Sequence, residues 1–256
     1  MNLIDTHCHL ADKRLGRIID QVIDQARGAG VTTMVSAAAN LPDARIAADL
    51  ASKHPEVFCT AGVHPHHAAE HDKSYLAEIE QLAASDRNVA IGEIGLDYHY
   101  DYSPRPRQQE AFAEQIALAD KLGKVIVIHT REAFDDTMTI IADSGVDGAR
   151  FVFHSFTGGA DEVRRILDIG AMVSYSGIAT FKTADDIRGG AAIVPDDRIM
   201  VETDAPYLSP VPVRSVRPNQ PAYVAHVAGC LAELRGVGLE QFAEQTTSNA
   251  KRFFGI

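Results

Sequence analysis

Eight short apolar segments, each followed by a stretch with helical periodicity, constrain the fold of this 256-residue chain more than any other feature. Segments such as 125–129 (VIVIH) and 150–154 (RFVFH) show little alternation between polar and apolar residues, which is typical of strands buried on both faces of a parallel sheet. Strands that alternate with helices predict either a barrel or a doubly wound sheet. The predicted strands are 2–8, 31–38, 57–63, 88–94, 124–130, 150–155, 171–176 and 198–204.

The segments between the predicted strands carry helical patterns. In 107–123, Phe112, Ile116 and Ala119 recur on one face of a helix, and a glycine follows as a stop signal. Residues 239–254 predict a further helix. Barrels of alternating strands and helices commonly reach this length as one domain, and no linker, repeat or low-complexity run divides the chain. We therefore expect one domain over residues 1–256.

The charge and the cysteine content bear on partners and location. The formal net charge of −11 argues against indiscriminate nucleic-acid binding, which normally needs a basic footprint, although bound divalent cations would offset part of that charge locally. Cys8, Cys59 and Cys230 are odd in number and widely spaced, which favours free thiols in a reducing compartment. Because the sequence shows neither a signal peptide nor a long apolar run, we expect a cytoplasmic protein that does not bind membranes.

Titratable residues gather where the predicted strands end. They are His7 and His9 at strand one, His64 at strand three, Glu93 at strand four, His129 at strand five, His154 at strand six, and Glu202 with Asp204 at strand eight. The C-terminal ends of barrel strands form a single face, and this face carries the active site in barrel enzymes. Because side chains alternate along a strand, His7 and His9 are expected to project to the same side.

Four imidazoles and two carboxylates at one face are hard to explain by packing. An isolated buried histidine is usually a hydrogen-bonded core residue, and a fully satisfied polar layer inside the barrel is the alternative here. Burying so many ionisable groups costs several kcal/mol each unless they are paired or bind a metal. The set predicts two divalent cations, with Glu93 as the bridging ligand. It consists of His7, His9, Glu93, His129, His154 and Asp204.

Two cations at about 3.5–4 Å from each other would clamp the attacking and leaving oxygens of a displacement at phosphorus and lower the pKa of a shared water. Asp204 is predicted to hold one cation and to accept the proton of that water, which makes Asp204 and Glu93 the predicted catalytic pair. The sequence has neither a G-x-S-x-G elbow nor a G-x-x-x-x-G-K-[ST] loop, which disfavours serine acyl transfer and nucleotide-driven phosphoryl transfer. The ligand types fit zinc, manganese or nickel, whereas phosphodiester chemistry often uses magnesium.

The motifs that carry these residues resemble the TatD family of metal-dependent deoxyribonucleases, within the amidohydrolase-like barrels. They are IDTHCHL (4–10), GVHPH (62–66), IGEIGLDYH (91–99), the helix-and-strand segment 108–133, FHSFTGG (153–159) and VETDAPYLSP (201–210). The resemblance implies a (β/α)8 TIM barrel, divalent metals and 3'-to-5' exonuclease action on DNA, with the same six residues as ligands. The chain departs from the family pattern at 11–20 and at 214–221. Both segments are expected near the substrate mouth, so we expect these departures to bear on substrate choice and not on metal binding.

Further residues are candidates for binding substrate. His64 is predicted to reach a substrate phosphate or to hydrogen-bond a ligand, and Arg131, Arg214 and Arg217 to grip phosphate, although each could be an ordinary surface arginine. The tyrosines of loop 97–108 could stack on splayed bases or merely pack on the barrel rim. His66 and His67 are expected to be solvated, Glu202 to be an interior acid paired with a neighbour, and Cys8 to be a core residue.

The sequence predicts a monomeric hydrolase that cleaves phosphodiester bonds, most simply in single-stranded DNA, with two Mg²⁺, Mn²⁺ or Zn²⁺ ions. An amide, formamide or lactone hydrolase with the same metals is the alternative, because metal-activated water serves both reactions. A metal-stabilised scaffold that binds a partner without turnover is a third hypothesis, which would leave no open coordination position. The arginine loops favour phosphate.

Overall fold

The computed structural model describes all residues from Met1 to Ile256. All eight predicted strands are present, and each differs from the prediction by one to three residues at one or both ends. Their bounds are β1 Leu3–Cys8, β2 Val31–Ser36, β3 Val57–Ala61, β4 Asn88–Asp97, β5 Val125–Arg131, β6 Phe151–Phe153, β7 Met172–Tyr175 and β8 Ile199–Val201.

Helices follow the strands, and the two predicted from periodicity are confirmed as α5 and α10. None of the helices is both long and apolar enough to cross a membrane. The α-helices are α1 Lys13–Gly16, α2 Ile19–Gly28, α3 Leu41–Lys53, α4 Tyr75–Ala83, α5 Arg105–Lys121, α6 Phe134–Ser144, α7 Ala160–Asp168, α8 Asp185–Ile193, α9 Val224–Leu234 and α10 Leu239–Phe254. Short 3-10 helices lie at Pro65–Glu70, Gly148–Arg150, Gly177–Thr180 and Pro221–Tyr223.

The order of the strands decides between the two architectures that the sequence left open. The sheet has eight strands in the order β1-β2-β3-β4-β5-β6-β7-β8, and its registers are parallel. A doubly wound sheet would reverse its order at a switch point. The segment after β8 also bridges in parallel to Cys8 at the end of β1, and the Thr6 hydroxyl donates to the Val201 carbonyl at 3.0 Å. The predicted (β/α)8 barrel is therefore confirmed.

Two compact units make up the chain, Met1–Ser36 with His154–Ile256, and Ala37–Phe153. The first unit contains β1, β2, β7 and β8, and Leu3, Tyr175 and Phe242 are fully buried in it. The second unit contains β3 to β6, and Phe112 and Phe151 are among its fully buried side chains. Strand residues and the apolar faces of α5 and α10 therefore both contribute to the cores of the units.

Strand β4 runs three residues further than predicted, so Glu93 lies inside the strand rather than at its end. The reason is Gly95, where a Cβ atom would lie 1.9 Å from the carbonyl oxygen of His129 and φ is +141°. Only glycine allows so close an approach, and β4 stays paired with β5 up to Asp97 and Arg131. Strands β3 and β8 end earlier than predicted, which places His64 and Asp204 three residues beyond them.

Candidate metal centres

The first cluster lies in the first unit, between the end of β1 and the segment after β8. His7 Nε2 lies 3.3 Å from His9 Nε2, and His9 Nε2 lies 3.4 Å from an Asp204 carboxylate oxygen. One ligand atom from each of the three residues falls within 4.8 Å of the others. The two histidines therefore share a side, as the alternation of side chains along a strand predicts.

Backbone and buried side-chain hydrogen bonds hold this cluster together. The Asp204 amide donates to the His7 carbonyl at 2.9 Å, and the His9 amide donates to the Ala205 carbonyl at 2.6 Å. Beneath them, the fully buried Asp5 accepts hydrogen bonds from the amide and the hydroxyl of Thr203. Burial raises the pKa of Asp5 to about 8, because the desolvation of its carboxylate outweighs these hydrogen bonds.

Asp204 is an ionised carboxylate in this setting. Burial acts to raise its pKa, but the hydrogen bond from His9 and the nearby rings of His154 and His7 keep the pKa below the ordinary value. Its φ of +56° is in the left-handed region, which costs a non-glycine residue roughly 1–3 kcal/mol and is concentrated at functional sites. An ionised, fixed carboxylate beside two imidazoles is a suitable cation ligand.

His154 also belongs to the first unit, which resumes at this residue directly after β6. Its ring stacks on that of His7 with the centroids 3.9 Å apart, and its Nδ1 lies 3.1 Å from a carboxylate oxygen of the buried Glu202. A carboxylate at Nδ1 fixes the neutral tautomer that carries its proton there, which leaves the Nε2 lone pair for a cation. Glu202 is thus paired with a neighbour, as predicted, and His7, His154 and Glu202 also form a second possible ligand group.

The second cluster lies in the second unit and consists of His64, Glu93 and His129. His129 Nδ1 is 2.9 Å from a Glu93 carboxylate oxygen, and His64 Nε2 is 3.4 Å from the same oxygen. The Glu93 side chain is only 3% exposed, and its backbone amide donates to Ala38 at 3.0 Å. A buried carboxylate that faces two imidazoles is a chemically suitable place for a divalent cation.

Asp97 orients His129, and the sequence interpretation did not include it. One oxygen of this buried carboxylate lies 3.0 Å from His129 Nε2 and 2.9 Å from His66 Nε2. Burial acts to raise the pKa of Asp97, but the hydrogen bonds from His129, His66 and the Tyr100 amide outweigh it and keep the pKa well below the ordinary value. An ionised Asp97 fixes the His129 proton on Nε2, so the Nδ1 lone pair faces Glu93 and would be available to a divalent cation.

His64 differs from His129 in its hydrogen bonding. Its Nδ1 accepts a hydrogen bond from the backbone amide of His66 at 3.1 Å. Burial lowers the pKa of His64 to about 3, an effect that Glu93 only partly offsets. A neutral ring that accepts at Nδ1 must carry its proton on Nε2, which makes His64 a hydrogen-bond donor rather than a cation ligand.

Two buried glutamines of α5 fix the backbone beside this cluster. The side-chain oxygen of Gln115 accepts a hydrogen bond from the Val63 backbone N–H at 2.7 Å, and its side-chain NH2 donates to the Val63 carbonyl at 3.1 Å. Gln108 makes the same pair of bonds to Asp97, at 2.8 and 3.1 Å. The two glutamines are seven residues apart, so they lie on one face of the helix. This spacing was visible in the sequence, but glutamine is a residue type that mostly lies on the surface.

The late loop of the first unit is tied to the cluster by Asn219. Its buried side-chain amide donates to the Thr203 carbonyl at 2.9 Å and to the Tyr207 carbonyl at 2.5 Å. The Asn219 backbone amide donates to Pro206 at 3.1 Å. The segment that departs from the family pattern therefore supports the backbone on both sides of Asp204.

The structure assigns the six predicted ligands to the two clusters. His7, His9, His154 and Asp204 lie in the first, and Glu93 and His129 lie in the second, each with a ligand atom near two others. His66 is not solvated as expected, because its Nε2 bonds to Asp97 and its side chain is 23% exposed. Cys8 is fully buried, as predicted.

The three arginines predicted to grip phosphate are on the surface. Arg131 is exposed and its guanidinium lies 4.9 Å from the Tyr100 ring centroid. Arg214 lies over the ring of Phe181 at 3.9 Å, and Arg217 donates to carbonyls of its own loop, including that of Arg214 at 2.7 Å. Their contact with phosphate stays a prediction.

Comparison with known proteins agrees with this geometry. A family model described as TatD related DNase matches residues 4–255. The chain is 37% identical to the uncharacterized metal-dependent hydrolase YabD of Bacillus subtilis over 99% of each chain, and 34% identical to the 3'-5' ssDNA/RNA exonuclease TatD of Klebsiella pneumoniae over 99% and 98%. The solved TatD homologue YJJV of Escherichia coli K12 has a TM-score of 0.93 at 27% identity, with 99% and 98% covered. The chain therefore belongs to the TatD family and is a metal-dependent hydrolase.

Proposed function

We propose that this chain, as one hydrolase barrel over residues 1–256, cleaves phosphodiester bonds with two divalent cations. One cation is held by His7, His9 and Asp204 together with His154, and the other by Glu93 and His129. The supporting observation is that one proposed histidine ligand in each unit hydrogen-bonds to a buried carboxylate through the ring nitrogen that would not bind the cation. These histidines are His154 and His129. Such pairing sets the tautomer in metal sites and raises ligand basicity. The role of Glu93 as a bridge stays a prediction.

The protein side chains then have distinct tasks. A bound divalent cation lowers the pKa of water and neutralises charge on a phosphoryl oxygen. Asp204 is ionised and accepts the proton of the attacking water, and Glu93 holds the second cation together with His129, which Asp97 orients. His64, neutral and protonated at Nε2, donates a hydrogen bond to a phosphate oxygen, where burial makes that bond stronger than in water.

We further propose that the substrate is single-stranded DNA, which the enzyme shortens from its 3' end. Support comes from the names of relatives such as the Erwinia tasmaniensis 3'-5' ssDNA/RNA exonuclease TatD, which is 35% identical over 99% of this chain. Arg131, Arg214 and Arg217 are the proposed phosphate contacts. The three cysteines are free thiols, which supports action in a reducing compartment such as the cytoplasm.

The decisive experiment measures nucleotide release from a strand labelled at its 3' end. Metal-stripped protein is re-supplied with magnesium, manganese or zinc, and bound metal is counted separately. We expect metal to restore stepwise shortening, two bound ions in the wild type, and neither activity nor a full metal count in Glu93→Ala. The matched control is Glu244→Ala, because Glu244 is an exposed carboxylate of α10. This variant should behave as wild type. A protein that binds two ions but leaves DNA intact would show that the phosphodiester proposal is wrong, and amides and lactones would be tested next.

A further inference from the structure

Two tyrosines of the loop after β4 form an exposed aromatic pair. The rings of Tyr100 and Tyr102 are stacked with centroids 5.2 Å apart and an interplanar angle of 14°. The two residues are 46% and 66% exposed, so they do not contribute to the core of the second unit. Tyr98 of the same loop differs, because Arg105 lies over its ring and its hydroxyl donates to Asp136 at 2.6 Å. A loop that merely covers the barrel would bury these rings as well.

The backbone of this loop is fixed at both ends. One Asp97 oxygen accepts the amides of His99 and Tyr100 at 3.1 and 2.9 Å. The buried Ser103 hydroxyl donates to the His66 carbonyl at 3.0 Å, and Gln108 donates to the Ser103 carbonyl at 2.8 Å. A fixed aromatic surface loses little entropy when a ligand binds to it. The exposed pair is therefore preorganised to bind a flat ligand.

The pair also lies next to the second metal cluster. The His66 ring makes T-shaped contacts with the rings of Tyr100 and Tyr102, with centroid distances of 5.5 and 4.8 Å. The same His66 bonds to Asp97, whose carboxylate bonds to the proposed ligand His129. Ring contacts to His66 and its hydrogen bond to Asp97 thus connect the two tyrosines to the residue expected to hold the cation.

Charges around the pair favour an anionic ligand. Arg131 lies over Tyr100, and its exposed guanidinium forms no ion pair. The other charges of the loop are neutralised locally, because Arg105 pairs with Asp101 at 2.8 Å and His99 pairs with Glu132 at 2.6 Å. A ligand that carries a flat ring and a neighbouring negative group therefore fits the surface formed by Tyr100, Tyr102 and Arg131.

We propose that Tyr100 and Tyr102 form a base-stacking subsite that binds an unpaired nucleobase of a single-stranded polynucleotide. The Tyr102 ring stacks on the base, and Arg131 binds the adjoining phosphate. Every base has a π-face, so such a surface selects unpaired nucleic acid without selecting sequence. This subsite rests on the proposed phosphodiesterase function and names its substrate class as base-bearing single strands rather than small phosphodiesters.

Binding to two strands that differ only in their bases tests the subsite. The probes are a labelled six-nucleotide thymidine strand with phosphorothioate linkages and its abasic counterpart, titrated at one salt concentration against manganese-loaded protein. Fluorescence anisotropy gives the dissociation constants of the wild type, Tyr102→Leu and Tyr102→Trp. Stacking on one base contributes about 5- to 150-fold in affinity. We expect Tyr102→Leu to lose a factor in this range for the thymidine strand and less than twofold for the abasic strand, and Tyr102→Trp to restore it.

Two outcomes would overturn the subsite. One is a wild type that binds both strands equally, and the other is a Tyr102→Leu variant that keeps its preference for bases or loses affinity for both strands alike. Thermal unfolding of each variant reports whether the exposed substitution has altered the fold. Hydrolysis of a natural strand is measured in parallel. Base preference without hydrolysis would contradict only the proposed function, and hydrolysis without base preference would contradict only the subsite.

Discussion

Replacing Gln115 with methionine tests whether buried amide clamps hold the second cluster in place. Gln115 is fully buried, and it satisfies both the N–H and the C=O of Val63, which is itself only 2% exposed. Methionine has a similar shape and no group that can replace these bonds. The variant would therefore leave one buried donor and one buried acceptor without their partner.

The magnitude follows from those two groups. An unsatisfied buried polar group costs about 1–3 kcal/mol, so Gln115→Met should lower the free energy of unfolding by about 2–6 kcal/mol. In a chain of this size each kcal/mol corresponds to about 2–4 °C, which predicts a melting temperature roughly 4–24 °C lower. Val63 directly precedes His64, so the variant should also reduce kcat by displacing the proposed donor.

The assay is thermal and urea unfolding in EDTA, because bound metal would add its own stabilisation. Gln81→Met is the matched control, since Gln81 is an exposed residue of α4 and should change stability by less than about 0.5 kcal/mol. If Gln115→Met unfolds within that same margin of wild type, the two Val63 bonds do not hold the backbone, and the account of how His64 is positioned is wrong.

Three further predictions concern single residues. Asp97→Asn should weaken manganese binding about 10- to 100-fold in a calorimetric titration, because His129 loses the carboxylate that fixes its tautomer; unchanged affinity would contradict this role. Gly95→Ala should lower the free energy of unfolding in urea, because the strain of a positive φ costs about 1–3 kcal/mol by itself and the clash with His129 adds to it; wild-type stability would refute the close approach. Cys8 and Cys59 should not react with a thiol reagent at pH 8 until the protein unfolds, because both are buried and burial raises the pKa of Cys59 to about 11; labelling of either in the native state would disprove this.

The strands and the barrel could be predicted because each strand is a local apolar pattern. β5 shows this well, since Ile126, Val127 and Ile128 form an unbroken apolar run and all three are buried. The ends of the strands were less predictable. β4 continues to Asp97 because Gly95 lets the β5 backbone approach, and no local pattern distinguishes that glycine from one that ends a strand.

The candidate ligands could be named because imidazoles and carboxylates at strand ends are unusual. The residues that orient them could not, because their roles depend on hydrogen-bond direction. His64 and His129 look alike in sequence, because each comes directly after a run of apolar residues. In the structure the Nδ1 of His64 accepts a backbone amide, whereas the Nδ1 of His129 faces Glu93. Only this difference separates a proposed hydrogen-bond donor from a proposed cation ligand.

The net charge of −11 argued against a nucleic-acid substrate, and burial removes part of that charge from the surface. Asp5, Glu93, Asp97 and Glu202 are buried carboxylates, and Asp204 is largely buried beside His9. These acids face histidines or hydroxyls inside the protein, and a cation in each unit would neutralise more of their charge. The charge that a polynucleotide meets is that of the exposed loops, where Arg131 has no acidic partner beside Tyr100. These five acids account for five of the eleven excess negative charges, and the remaining 30 acidic and 24 basic residues still carry a net charge of −6. A polynucleotide would therefore have to bind through local groups such as Arg131 rather than through the charge of the whole chain.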